Sequence, residues 1–217
     1  MKILPPEASS RFRHRALAMA LVAAIVLVLA GVGAYAYYAG RPAAAQKVVG
    51  ELVKLLGNKH ILGEKGWRLF VGIFVNNTVS TLITLLLGVV PFLFLPLANP
   101  VMNGGVIGLL AAVSKQAGMP MVRFFLAGIA PHGIFELTAV LYATGLGLSL
   151  TLEVIRKILL PTPAESPSFP RLVLSALRSW AVVVLPLLLV AAAVETFITP
   201  RLLGIGRAGS DPPSIFF

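Results

Sequence analysis

The sequence predicts an all-α membrane protein: a polytopic bundle of transmembrane helices with broken or re-entrant segments. Three observations carry that prediction. Hydrophobic residues make up 58% of the 217-residue chain and charged residues only 12%, about half the ~25% usual in a soluble domain. The apolar residues fall in long runs between short polar gaps, and ~20 of them in a helix cross a bilayer. Proline or glycine interrupts several runs at what becomes membrane depth, where exposed backbone must be satisfied by protein or trapped water. The same figures exclude a disordered chain and an ordinary soluble enzyme. With no cysteine in the chain, a disulfide scaffold, a thiolate metal site and a cysteine nucleophile are excluded too.

In chain order, residues 1–40 hold a basic tail and the first span. The tail carries Lys2, Arg11, Arg13 and Arg15 against Glu7. Ala16 to Ala39 is an unbroken apolar run of 24 residues, and Tyr35, Tyr37 and Tyr38 place its far end in the interfacial belt. Ala34-Tyr35-Ala36 has the small-x-small form of a signal cleavage site. The run exceeds the ~7–15 residues of a signal core, so a retained span is expected. Residues 41–66 are a surface segment. Val48, Val49, Leu52, Val53, Leu55 and Leu56 recur at helical spacing, with Lys47, Glu51 and Lys54 on another face. That pattern predicts an amphipathic helix on the membrane, stopped at Gly57-Asn58, with a solvated linker as the alternative.

Residues 67–199 form the core of spans. The second span runs from Trp67 to Leu87, broken by Gly88, Pro91 and Pro96, and Asn99-Pro100 marks a turn. Val101 to Val113 is apolar for only 13 residues, short of the ~20 needed to cross alone. It crosses where the protein is thin or belongs to a re-entrant hairpin. Lys115 and Arg123 bracket the next loop. Met121 to Leu152 is interrupted at Pro131-His132-Gly133, which predicts a half-helix, unwound backbone and then a full span. Arg156 to Arg171 is a proline-rich loop, and Leu172 to Ile198 is the last span, kinked at Pro186. Residues 200–217 are a polar tail. The cations divide almost evenly between the two sides of such a topology, and only the dense N-terminal cluster favours an inside N-terminus.

The net charge of +10 sits in tails and gaps. Cations so placed meet lipid headgroups, not nucleic acid. Of the acids, only Glu136 and Glu195 fall inside apolar sequence. Glu7, Glu51, Glu64, Glu153, Glu165 and Asp211 fall in tails or loops. His132 and Glu136 are four apart, on one face of a helix. Asn76 and Asn77 lie two turns into the second span, and Asn103 opens the short segment. Each is costly to leave facing lipid. Asn76, Asn77, Asn103, His132, Glu136 and Glu195 are therefore expected to form a polar cluster drawn from several spans. Such a cluster is a proton relay, ion site, headgroup pocket or catalytic site, or it is structural glue between helices. A metal reading rests on His132, Glu136 and Glu195, which supply only half of an H-E-x-x-H pattern. No cofactor is implied. Ser80, Ser114 and Ser175 lack the G-x-S-x-G context of a serine hydrolase. Gly104-x-x-x-Gly108, with Gly145 and Gly147, allows close helix packing and leaves a homodimer open.

At these residues the sequence resembles the stage II sporulation protein M family. The resemblance is carried by Phe74-x-Asn76-Asn77, by Asn103-Gly104 followed by Gly108, and by Pro131-His132-Gly133-x-x-Glu136 with the small-residue run to Gly145-x-Gly147. Glu195-Thr196-Phe197-Ile198-Thr199 completes it. It covers most of 67–199. It implies a multi-pass protein of the bacterial or archaeal cell membrane with five to six spans. The family's named member looks like a membrane anchor in spore engulfment, recruiting two peptidoglycan-degrading partners to the septum. The resemblance thus implies an integral membrane scaffold for cell-wall remodelling proteins. The alternatives are a small transporter, channel or lipid-handling protein using the Asn/His/Glu cluster, and an intramembrane hydrolase with Glu136 and His132 as acid and base.

Overall fold

A computed structural model describes residues 6–58, 66–160 and 167–199. All regular structure among the described residues is helical, and five helices are long and apolar enough to cross a membrane. The first, α1 (Pro6–Ala39), takes Arg11, Arg13 and Arg15 of the basic tail into the same helix as the apolar run. At its far end Arg41 lies over the Tyr37 ring at 4.4 Å and Lys115 over the Tyr35 ring at 5.6 Å, cations and aromatic rings of the kind found at a bilayer interface. The chain turns at Gly40 into α2 (Pro42–Asn58), a helix rather than a linker. Lys54 bonds Glu51 at 3.1 Å on its polar side, while Val53 and Leu55 stay exposed.

The second span is α3 (Trp67–Leu87). Its return turn puts Phe92 and Phe94 at positive φ, with Phe92, Leu93 and Phe94 all exposed. Non-glycine residues rarely adopt that conformation. A 3-10 turn, Leu95–Leu97, then leads into α4 (Ala98–Gln116). Asn99-Pro100 is therefore not the turn. Both sit in the first turn of α4, where proline lacks nothing the helix needs. The 13-residue apolar run is the inner part of a 22-residue helical stretch, Leu95–Gln116, about 33 Å long and enough to cross a ~30 Å core. This stretch still embeds Asn99, Asn103 and Ser114. Tested as isolated segments in a membrane-insertion reporter, Ser10–Ala39 is expected to insert efficiently and Leu95–Gln116 poorly. Equal insertion would contradict the dependence of α4 on its neighbours.

The fourth span opens with α5 (Met121–Arg123) and a π-helical turn, Phe124–Ile129, before α6 (Ala130–Leu159). The backbone at Pro131–Gly133 is helical, not unwound as the sequence suggested. The last span repeats the device. Helix α7 (Phe169–Ser179) passes through a π-helical turn, Trp180–Val184, into α8 (Leu185–Phe197), with Pro186 in its first turn. A proline ring clashes with the carbonyl four residues back. In both spans that carbonyl falls inside the widened turn, which absorbs the clash and keeps the helix running. The polar loop is shorter than expected because α6 continues to Leu159. Pro161, Pro163 and the tail after 199 lie outside the described residues.

Helix α6 is the central post, buried without interruption from Tyr142 to Thr151. The helices close on it along glycine seams. A methyl added to Gly145 would meet the Ala16 carbonyl of α1, and one added to Gly88 would meet the backbone of Gly147. Gly104 and Gly108 face α1 at Leu27, Gly31 and Tyr35, so this small-residue motif is filled within the chain. Thr151 Oγ1 donates to the Gly88 carbonyl at 3.0 Å, and Trp180 Nε1 donates to Thr81 Oγ1 at 3.2 Å. Helix α4 runs parallel to α1, from Gly104 beside Leu27 to Gln116, whose Nε2 donates to the Tyr38 carbonyl at 2.9 Å. The five spans alternate in direction.

Candidate functional site

Two polar regions lie at the depth of the spans. The first is interior. Glu136, on the second turn of α6, accepts a hydrogen bond from the side chain of Asn77 on α3. The Asn77 amide is held in turn by Asn76, whose Nδ2 donates to Asn77 Oδ1 at 3.2 Å. Glu195 on α8 lies within electrostatic reach of Glu136. Both acids are partly buried. Three spans, α3, α6 and α8, thus bring two carboxyls and an amide to one place. The backbone of His132 starts the helix that carries Glu136, but its side chain lies outside the described residues, so the His132–Glu136 pair does too. Among the described residues no group of three His, Asp or Glu side chains stands close enough to hold a metal.

The second region is a groove of about 460 Å³ between α3 and α4. Asn76, Ser80 and Thr84 line it from α3 at every fourth residue, and Asn99 and Asn103 line it from α4. Asn99 Nδ2 donates to Thr84 Oγ1 at 2.6 Å and to Ser80 Oγ at 3.2 Å. Asn103 Nδ2 donates to Asn99 Oδ1 at 2.6 Å and to the Asn99 carbonyl at 3.1 Å. The apolar rim is exposed, with Ile83 at 51% and Met102 at 63%. Asn103 therefore belongs here and not beside Glu136. Successive residues on a helix point about 100° apart, so Asn76 faces the groove and Asn77 the interior, and their bond joins the two regions through α3.

Two residues of consequence escaped the sequence reading. Asn99 passed for part of a turn, although Ser80-x-x-x-Thr84 and Asn99-x-x-x-Asn103 repeat a polar residue every helical turn. Glu153 passed for a loop residue. It is buried on α6 and takes Arg15 of α1 at 2.9 Å, with Arg156 at 3.8 Å.

The family model of stage II sporulation protein M matches residues 10–200. The chain belongs to the stage II sporulation protein M family. The match reaches beyond the motifs of 67–199 to take in α1, the helix that packs its glycine and alanine faces on α4 and α6. Among curated proteins, an uncharacterized protein of Methanocaldococcus jannaschii is 27% identical over 133 residues, 61% of this chain and 72% of that one. No solved structure matches the chain. As a member of the stage II sporulation protein M family the chain is an integral membrane protein, in agreement with its five apolar helices.

Proposed function

We propose that this stage II sporulation protein M chain is a scaffold of the cell membrane that holds peptidoglycan-remodelling proteins in place. The observation that carries the reading is the α3–α4 groove. Its amides and hydroxyls have more donor and acceptor capacity than their mutual bonds use, and they open toward lipid between apolar rims. A partner's transmembrane helix with small polar residues would cover them, and interhelical hydrogen bonds of this type stabilise association by about 1 kcal/mol each. The test is affinity purification from the native membrane in mild detergent, followed by an assay of the eluate for peptidoglycan-degrading activity. Wild type is expected to carry that activity. Ile83→Trp with Met102→Trp, two exposed residues of the groove rim, is expected to lose it while melting with wild type. An inactive wild-type eluate contradicts the scaffold role, and equal activity in both contradicts the groove.

A second reading has its own support. Glu136 on α6 and Glu195 on α8 lie within electrostatic reach of each other, two ionisable groups where joining two helices requires none. A small ion or headgroup carried past this pair would give the chain a transport role. Reconstituted vesicles in which Glu136→Gln with Glu195→Gln leaves every ion and lipid flux unchanged would contradict it.

A further inference from the structure

We propose that the chain seats the phosphate headgroup of an anionic phospholipid in a cavity between α1, α6 and α7. The cavity holds about 360 Å³ and lies apart from both polar regions described above. Arg13 and Arg178 flank it. Arg13 stands one turn before the apolar run of α1 begins at Ala16, and Arg178 ends the amphipathic helix α7 on its exposed side. Both guanidinium groups therefore belong to the boundary between headgroups and acyl chains, where long cationic side chains reach back to water.

The floor of the cavity is polar. Tyr142 and Ser179 share a side-chain hydrogen bond, with the Arg13 guanidinium within electrostatic reach of the phenol, and Ser175 adds a buried hydroxyl. Among the described residues, no acidic side chain lines the cavity. Two arginines and three hydroxyls suit a phosphate, since guanidinium forks match its oxygens and charge-assisted bonds are the strong ones. The side walls decide between a lipid and a free anion. Val182 and Val183 line the cavity and are 67% and 38% exposed. An apolar exit beside a cationic floor fits a molecule with a phosphate and an acyl chain.

The test uses the full chain purified in mild detergent, with binding and thermal shift measured against phosphatidylglycerol, phosphatidylcholine and inorganic phosphate. Phosphatidylglycerol is expected to bind and to raise the melting temperature, with little effect from the other two. Arg178→Gln is expected to weaken that binding by about tenfold or more, the usual worth of a hydrogen bond to a charged group. Because Arg13 and Arg178 also touch the bundle, a second variant leaves the charges alone. Val182→Trp, at an exposed position, should block the acyl exit and lower the affinity for phosphatidylglycerol without changing the melting temperature of the lipid-free protein. Equal binding of phosphatidylcholine overturns the proposal. So does an equal shift with inorganic phosphate, which would make the site one for a free anion, and so does unchanged affinity in both variants.

Discussion

Gly108→Leu is expected to unfold the bundle at a clearly lower temperature than wild type. A side chain at Gly108 collides with the backbone of Gly31 and Tyr35 on α1, and nothing there is a flexible side chain that can step aside. The two helices must separate, which costs about 1–3 kcal/mol or more by overpacking, a fall of roughly 3–10 °C in melting temperature for a chain of this size. Gly104 and Gly145 meet backbone in the same way. Gly105 supplies the contrast. It is adjacent in sequence, but a methyl there meets nothing within 4 Å. Gly105→Ala should leave stability unchanged or raise it slightly, because alanine favours a helix over glycine by roughly 0.5–1 kcal/mol. Thermal unfolding of both variants in one detergent checks the contrast, and a loss at Gly105 as large as at Gly108 would refute the seam.

The second large effect is expected at Arg15. The Glu153 side chain is 9% exposed and its bond to Arg15 is short, whereas Arg156 stands farther off at 3.8 Å. Arg15→Ala leaves the buried carboxylate with its weaker partner and should cost about 1–3 kcal/mol. Arg156→Ala should cost less than about 1 kcal/mol, as for an exposed pair. A double-mutant cycle of Arg15→Ala with Glu153→Ala should give a coupling absent from the cycle with Arg156→Ala. Because Arg15 precedes the apolar run, this pair pins the N-terminal end of α1 to the end of α6.

The spans were legible because hydropathy records how much of a helix avoids water. Asn77, Glu136 and Glu195 stood out because polar groups inside apolar runs are expensive. Which neighbour each polar group meets was not legible. Asn76 and Asn77 differ only by one helical step, yet one faces the groove and the other the interior. Gly104-x-x-x-Gly108 announced a small face but not that α1 would fill it. Pro131 and Pro186 signalled breaks. Their cost is absorbed a turn upstream by widened helix, and no residue in that turn marks it. Glu153 was hidden because Leu152 ends the apolar run, while the helix continues two more turns to Leu159 under the packing of α1.

The central claim is that α3, α6 and α8 bring Asn77, Glu136 and Glu195 together inside the bundle. The chain has no native cysteine, so paired cysteines can be read against a clean background. Asn77→Cys with Glu136→Cys, and Glu136→Cys with Glu195→Cys, should each be joined within one chain by a short thiol-bridging reagent in native membranes, detected as linked peptides by mass spectrometry. Glu136→Cys with Asn103→Cys should not be joined, because Asn103 faces the groove. Failure to join the first two pairs, or joining only between separate chains, would contradict the account.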